Sequence, residues 1–230
     1  MMQNRPIVVI PAYNEEKTIK QVIERTLPYA DIVVVNDGSR DRTRQIVESF
    51  KEVMIINHQK NTHIPQSVLD GMKLAYDRGY DYVITMDSGL SHKPEEIPNF
   101  LKAPDCDLVL GYRKKKGDTP LYRKLLSMTA AILFNIAIWR FNLRHFPPHY
   151  RDVTSGFRRY SRKAVGLLLG RRFKAKSFDF ITESLMFVYR NDLTIMEIPI
   201  TYDFSNSSLN GRVVRDSFRM FLDILLHGRK

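Results

Sequence analysis

The chain has 230 residues, 43% of them hydrophobic, which suffices for one large domain or two small ones with a substantial core. Its single cysteine, Cys106, excludes an internal disulfide, and we expect no signal peptide because the first residues lack a long apolar stretch. The formal charge of +11 is uneven: residues 1–111 carry 13 Lys/Arg and 16 Asp/Glu, whereas residues 112–230 carry 23 and 9. So basic a second half indicates an anionic partner, which leaves nucleic acid, an anionic membrane and an anionic substrate as candidates.

In the first half of the chain, short apolar runs alternate with stretches of helical periodicity. The apolar runs predict strands at residues 6–10, 32–35, 53–56, 82–86 and 107–111. Helices are predicted from Glu15 onwards and over 41–50, 65–77 and 94–101. Strands and helices that alternate in this way predict an α/β fold with a mostly parallel central sheet flanked by helices.

The second half has a different pattern. It contains a long apolar stretch that predicts a helix, followed by weaker strand and helix signals. In order, we predict a helix at 121–142, an extended segment at 154–161, a short helix to about 169, a helix at 179–190, a strand at 193–202 and an amphipathic helix at 213–227. No internal repeat or low-complexity linker interrupts the sequence, so a single domain over residues 1–230 is expected.

Three polar turns follow predicted strands: IPAYNEE (10–16), VNDGSRDRT (35–43) and MDSGLSH (86–92). Ligands of open α/β sheets bind at the carboxyl ends of the strands, so each turn is a candidate binding element. Asp87 could hold a metal ion against a phosphate there, although it could equally cap the next turn. Asp37 could accept hydrogen bonds from a base or ribose. The sequence contains neither the glycine-rich dinucleotide fingerprint nor a P-loop.

Together with GYR (111–113) and TSGFRRYS (154–161), these turns resemble the motifs of the inverting family-two glycosyltransferases, in the branch of the dolichyl-phosphate mannose synthases. The resemblance covers about residues 5–215. It implies a glycosyltransferase A-type (nucleotide-diphospho-sugar transferase) fold, in which residues 1–111 bind the nucleotide sugar and residues 112–230 face the acceptor and a membrane.

The same resemblance implies a reaction and its partners. One sugar would pass from a nucleotide-diphosphate sugar, with GDP or UDP, to a polyprenyl phosphate such as dolichyl or undecaprenyl phosphate. The reaction would invert the anomeric centre and use Mg²⁺ or Mn²⁺. An acceptor phosphate is already ionised at neutral pH, so alignment and charge neutralisation matter more than a strong base. The processive branch carries QxxRW, which this sequence lacks, so transfer of a single sugar is expected.

The resemblance also assigns roles to individual residues. Those assigned to the nucleoside are Pro11, Tyr13, Glu15 and Asp37. Asp87 would contact the metal and the diphosphate, with Ser91 or His92 as further candidate ligands. Arg113 matches the arginine of the GxR motif. Arg123 and Ser127 match a pair that faces the acceptor phosphate, and Glu183 matches a carboxylate near the sugar. The expected catalytic set is Asp87, Arg113, Arg123 and Glu183.

The sequence departs from the family pattern in three places. Gly89 stands where the second acid of the D-x-D pair is expected, Asn36 replaces a common Asp, and NTHIPQS (61–67) replaces a glycine-rich loop. These departures keep two alternatives open. One is a catalytically impaired module that binds a nucleotide or a partner, and the other is a transferase acting on a cell-surface glycan.

The predicted 121–142 helix is relevant to membrane binding. Its apolar part, Leu125 to Trp139, is shorter than the roughly 20 residues that a spanning helix needs. Basic and aromatic residues flank it, which is typical of a helix lying in the membrane interface. We therefore expect a peripheral protein on the cytoplasmic face of an anionic membrane, acting in cell-envelope glycan synthesis. A core helix or a homodimer interface is the alternative. No nucleic-acid-binding motif is present.

Overall fold

The computed structural model describes residues 6–114, 129, 131–137, 139 and 149–203. Within these ranges seven strands form one sheet: β1 (Ile7–Ala12), β2 (Asp31–Asn36), β3 (Val53–Asn57), β4 (Tyr82–Thr85), β5 (Leu108–Arg113), β6 (Arg158–Ser161) and β7 (Ile195–Ile200). Their order is β3-β2-β1-β4-β6-β5-β7, and all neighbours are parallel except where β6 pairs. The predicted mostly parallel α/β architecture is confirmed.

Helices cover both faces of this sheet. They are α1 (Ile19–Thr26), α2 (Thr43–Glu48), α3 (His63–Asp77), α4 (Ile97–Lys102, after a 3₁₀ turn at Pro94–Glu96), α5 (131–137), α6 (Arg162–Leu169) and α7 (Asp179–Arg190). One apolar cluster joins one face of the sheet to α3, α5, α6 and α7, and a second joins the other face to α1, α2 and α4. The central strands are therefore buried on both faces, which explains their uninterrupted apolar sequences.

Several element boundaries differ from the predicted ones for identifiable reasons. Helix α1 begins at Ile19 rather than near Glu15, because the Glu15 amide donates to Thr43 Oγ1 of the next turn at 2.7 Å. Strand β6 begins only at Arg158, whose guanidinium binds the carbonyls of the preceding loop. Of the predicted 121–142 helix, residues 129, 131–137 and 139 are helical; its remainder and the predicted 213–227 helix lie outside the described residues.

Helix α3 packs unusually close to the sheet at Gly71. A Cβ atom at this position would lie 2.4 Å from Val9 Cγ1 and 3.2 Å from Val35 Cγ2. Real Cβ atoms do not approach other carbons so closely, so only glycine allows this contact between α3 and strands β1 and β2. Both strands carry candidate site residues at their carboxyl ends, so the packing at Gly71 also supports the site.

We predict that Gly71→Ala lowers the free energy of unfolding by about 1–3 kcal/mol, because overpacking a tight core contact forces backbone or rotamer shifts. Gly170→Ala is the matched control, since a Cβ there meets only atoms at 3.6 Å or beyond and the backbone is helical. Urea unfolding followed by circular dichroism measures both. Equal stability of the two variants would contradict the tight contact.

Candidate active site

The carboxyl ends of the parallel strands meet at one edge of the sheet. Ala12, Asn36 and Asn57 are register partners at the ends of β1, β2 and β3. Strands β4, β5 and β7 end at the same edge, and antiparallel β6 begins there. The loops at this carboxyl edge contain most of the predicted site residues, so the topology brings together segments that are far apart in sequence.

The turns after β1 and β2 are bonded to each other. Asn14, in the left-handed region at φ 57°, donates its amide to Ser39 Oγ at 3.0 Å. Its side-chain oxygen accepts the Arg40 amide at 2.8 Å. With the bond from the Glu15 amide to Thr43, these contacts make the IPAYNEE and NDGSRDRT turns one unit.

Three of the predicted nucleoside residues lie on this unit. Pro11 and Glu15 are half-buried, whereas Tyr13 is exposed to 44% and presents a large aromatic ring at the surface. The Glu15 carboxylate accepts the Thr18 hydroxyl at 2.7 Å. Their contact with a nucleoside stays a prediction, and the exposed ring of Tyr13 is available for it.

The fourth predicted nucleoside residue, Asp37, is buried and held by the loop that follows β3. Its Oδ1 accepts hydrogen bonds from His58 Nδ1, the Thr62 amide and Thr62 Oγ1, each at 2.8 Å. Its Oδ2 accepts the His63 amide at 2.9 Å. Burial alone would raise the pKa of Asp37, but the hydrogen bonds from His58, Thr62 and His63 lower it below its ordinary value. Asp37 is therefore a fixed, ionised carboxylate.

Gly38 allows this loop to approach. Its backbone has φ +73°, and a Cβ there would lie 2.7 Å from the carbonyl carbon of Lys60 and 2.8 Å from the Asn61 nitrogen. Both the left-handed backbone and the close contact require glycine. The backbone geometry therefore explains the glycine of the DGS motif, in addition to the ligand-binding role predicted for this turn.

Asp87 follows β4 at the centre of the carboxyl edge, and its side chain is 44% exposed. A Cβ at Gly156 would lie 3.2 Å from Asp87 Oδ1, so the backbone of the TSGFR segment runs directly beside this carboxylate. The Asp87 amide donates to His92 Nδ1 at 3.2 Å. Among the three predicted metal ligands, Asp87 is the accessible one, because Ser91 and His92 are both buried.

His92 is neutral in this arrangement. Burial lowers the pKa of its imidazole, and this outweighs the opposite effect of the Asp87 charge. Because Nδ1 accepts the Asp87 amide, the ring proton belongs on Nε2. The ring packs against Phe157 and Tyr202, with centroid distances of 5.1 and 5.3 Å. His92 thus shapes the turn that presents Asp87.

Arg113, at the end of β5, makes a forked ion pair with Asp152. Its Nε and Nη2 lie 2.6 and 2.9 Å from the two carboxylate oxygens, and Nη2 also donates to Thr154 Oγ1 at 2.6 Å. The guanidinium stacks over the Tyr202 ring, 5.2 Å from its centroid. Burial would raise the pKa of Asp152, but the charge and hydrogen bonds of Arg113 lower it. Asp87 is near enough to raise the pKa of Arg113 further.

Sequence reasoning did not single out Asp152 as a site residue. A signal was present, because Asp152 is the one acid among 11 basic residues between Arg140 and Lys176. A buried arginine requires a carboxylate or several carbonyl acceptors, so a lone acid in a basic stretch is a natural partner.

Of the remaining predicted site residues, only Glu183 lies within the described residues. Glu183 is fully buried in α7, where Oε1 accepts the Lys174 amide at 3.2 Å and Oε2 accepts the Ala175 amide at 2.8 Å. These bonds fix the segment before α7, and a role near the sugar stays a prediction. Arg123 and Ser127 lie outside the described residues.

No group of three or more His, Cys, Asp or Glu residues within the described ranges is arranged to hold a metal ion by itself. Mg²⁺ is commonly bound by one or two carboxylates, with substrate phosphates and water completing the shell. A single accessible carboxylate at Asp87 fits that kind of site and does not fit a cage built entirely by the protein.

We predict that Asp152→Asn lowers the free energy of unfolding by about 2 kcal/mol, because it leaves the half-buried Arg113 guanidinium without its carboxylate partner. A carboxylate with a lowered pKa stabilises the fold above its unfolded pKa of about 3.9, and this contribution disappears as pH falls through the folded value. The difference from wild type should therefore be complete at pH 7 and shrink below about pH 4.

Asp77→Asn is the control, because the ion pair of Asp77 with Lys73 on α3 is mostly exposed. Such pairs contribute about 0–1 kcal/mol. Urea unfolding across pH measures both variants. A loss of the same size at pH 3 and pH 7 for Asp152→Asn would be incompatible with the ion-pair explanation.

Comparison with solved structures supports the fold. The chain superposes with a TM-score of 0.69 on glucosyl-3-phosphoglycerate synthase from Mycobacterium tuberculosis in complex with Mn²⁺, UDP and glucosyl-3-phosphoglycerate. The two share 19% sequence identity over 96% of this chain and 78% of that one. The predicted glycosyltransferase A-type fold is therefore confirmed.

Sequence relatives cover nearly the whole chain. It is 28% identical to UDP-N-acetylglucosamine–dolichyl-phosphate N-acetylglucosaminyltransferase of Methanococcus voltae, over 95% of this chain and 94% of that protein. It is 26% identical to polyprenol monophosphomannose synthase of Mycolicibacterium smegmatis, over 98% and 88%. The family model described as glycosyl transferase family 2 matches residues 7–168. With more than half of its length matched, the chain belongs to glycosyl transferase family 2.

Proposed function

We propose that this protein transfers a single sugar from a nucleotide-diphosphate sugar to a polyprenyl phosphate, with inversion at the anomeric carbon. The observation that carries the proposal is the accessible Asp87 carboxylate at the carboxyl edge, beside Gly156 and within electrostatic range of Arg113. Relatives whose names specify dolichyl-phosphate or polyprenol acceptors match almost the full chain, which supports this acceptor class over a cell-surface glycan.

The donor nucleoside would bind on the unit formed by the turns after β1 and β2. Tyr13 offers an exposed ring for stacking, and Pro11 and Glu15 flank it. Asp37 supplies a fixed carboxylate at the adjoining strand end. Aromatic rings and carboxylates of this kind bind the face and the N–H groups of a base, so the unit has the chemistry for either a uracil or a guanine nucleotide.

The donor diphosphate would lie over Asp87. A divalent cation, Mg²⁺ or Mn²⁺, would be held by this carboxylate together with the diphosphate, and it would act as a Lewis acid on the leaving group. The neutral His92 and the buried Ser91 would orient the turn, since His92 Nδ1 already accepts the Asp87 amide. The exposed side of the Asp87 carboxylate is thereby kept towards solvent.

Arg113 would bind phosphate oxygens of the donor or the acceptor. Asp152 and Thr154 fix two of its nitrogens, so the guanidinium is oriented before a substrate arrives. Pre-orientation of this kind lowers the entropic cost of binding a dianionic group. Arg123 and Ser127 are proposed for the acceptor phosphate, and Glu183 for the sugar region, on the family pattern alone.

A lipid acceptor requires the protein to reach a membrane surface. No helix in the described part of the chain has the length and apolar character needed to cross a bilayer. Helix α5 exposes Ile132 to 55% and Ile136 to 47%, one helical turn apart. We propose that this face, together with the basic second half, binds an anionic leaflet peripherally from the cytoplasm. Burial of the same face in a homodimer is the alternative.

We predict that Asp87→Asn reduces sugar transfer at least about 100-fold, because the developing charge on the leaving diphosphate loses its metal-bound neutralisation. The assay screens UDP- and GDP-sugars with dolichyl and undecaprenyl phosphate in detergent. Asp81→Asn is the control, since Asp81 is an exposed carboxylate just before the opposite end of β4. Undiminished turnover by Asp87→Asn would remove Asp87 from the reaction.

A second variant tests whether the turn is a weakened family site. We predict that Gly89→Asp tightens Mn²⁺ binding in the presence of UDP by about tenfold, the effect of one further carboxylate ligand on a hard cation. A Cβ at Gly89 meets nothing within 4 Å, so the new side chain fits without strain. Calorimetric titration measures the affinity. If the variant binds Mn²⁺ no better than wild type, the 87–89 turn does not face the metal.

A further inference from the structure

His58 lies between two carboxylates from different parts of the chain. It follows β3 directly, and its amide donates to the Asn36 carbonyl at 2.9 Å. Its ring Nδ1 lies 2.8 Å from Asp37 Oδ1, and its Nε2 lies 3.1 Å from Asp70 Oδ2 on α3. Only 12% of the side chain is exposed. The imidazole therefore bridges the turn after β2 to the first half of α3.

This geometry engages both nitrogens of the ring. Ionised carboxylates only accept hydrogen bonds, so a ring nitrogen that bonds to one donates its proton. The Thr62 hydroxyl lies 2.8 Å from Asp37 Oδ1 and 2.9 Å from Nδ1, and it donates to the carboxylate. Burial would raise the pKa of Asp37, and the hydrogen bond from His58 is among those that lower it.

The bridge supports the loop that encloses Asp37. The Thr62 and His63 amides of this loop both donate to the Asp37 carboxylate. Asp70 is held in turn by Gln66, whose Nε2 donates to Asp70 Oδ1 at 2.9 Å. Loss of the Nε2–Asp70 contact would leave the loop connected to α3 only through the chain at Thr62 and His63, and the orientation of Asp37 would then depend on the loop alone.

We propose that His58 is a positioning residue for the donor nucleotide, because its bridge between Asp37 and Asp70 holds the Asp37 carboxylate in its binding orientation. This inference rests on the proposed function, in which Asp37 contacts the nucleoside. It adds that donor binding weakens when the bridge is broken at either end.

The direction of the effect follows from the hydrogen bonds. A side chain that reaches only one of the two carboxylates breaks the bridge, so the turn after β2 is no longer connected to α3 through this position. The charged groups facing the ring are Asp37 from the turn after β2 and Asp70 from α3. Lys60 and His63, on its own loop, are exposed.

The test measures UDP and GDP binding to the full chain by calorimetry. His58→Asn places an amide donor near Asp37 only, and His58→Gln places one near Asp70 only, so each variant breaks the bridge at one end. We expect both to bind nucleotide about tenfold more weakly than wild type, the effect of losing a hydrogen bond to a charged group.

His63→Asn is the matched control. His63 is an exposed histidine of the same loop with φ 70°, a backbone conformation that asparagine tolerates, and it contacts Asp37 through its amide. This variant should bind nucleotide like wild type. If it binds as weakly as the His58 variants, or if both His58 variants bind like wild type, the inference is wrong.

Thermal unfolding of the same variants supplies a readout that needs no nucleotide. A purely structural histidine would change thermal stability without weakening nucleotide binding, and that outcome would overturn the inference alone. Absence of binding of either nucleotide to wild type would instead overturn the proposed function and the nucleotide role of His58 with it.

Discussion

The candidate site depends on one constraint of the backbone: six of the seven described strands run in the same direction. Their carboxyl ends must share an edge, and the loops that leave them carry polar groups which the sheet itself cannot satisfy. These loops bond to one another instead, as Asn14 does to Ser39 and Arg40, and as Asp37 does to Thr62 and His63. The same hydrogen bonds that complete the fold therefore arrange the acids of the candidate site.

The acids at this edge differ in how they are compensated. Asp37 and Asp152 are buried and bonded to backbone amides; Asp37 also bonds to His58, and Asp152 pairs with Arg113, since an unpaired buried charge is costly. Asp87 is exposed to solvent, and the neutral His92 beside it contributes no positive charge. The fixed acids thus orient Arg113 and the turns after β1 and β2. In the proposed function, Asp87 is the acid left to bind an added cation.

The local sequence was sufficient to predict the secondary-structure elements and the positions of the turns. Apolar runs placed the first five strands within one or two residues, and the strand-end rule placed Asp37 and Asp87 at one edge, whereas Arg113 was identified only by the family resemblance. The direction of β6 was not predictable, because a four-residue strand takes its orientation from its neighbours β4 and β5. The pairing of Arg113 with Asp152, 39 residues apart, likewise exists only in the folded chain.

In the basic second half, the net charge overstates how much positive charge lies at the surface. Arg158 and Arg159 contribute to the charge that indicated an anionic partner, yet each is only 1% exposed. Arg158 donates to the carbonyls of Val153, Ser155 and Ile181, and thereby fixes the segment that runs beside Asp87. Arg159 donates to carbonyls at the end of α4 and stacks on Tyr82. Part of the positive charge thus organises the site from within the fold.

In the proposed metal site, Gly89 would change the energetics as well as the ligand count. With Asp87 as its accessible carboxylate, the protein alone would bind a hard cation weakly, and most oxygen ligands would come from the donor diphosphate. Metal and nucleotide would then bind as a coupled pair, each raising the affinity for the other by the same factor. The absent second acid would also remove a negative charge that repels the diphosphate, while Arg113 nearby would attract it. A family site with a single carboxylate is therefore consistent with catalysis, provided that the donor and the cation arrive together.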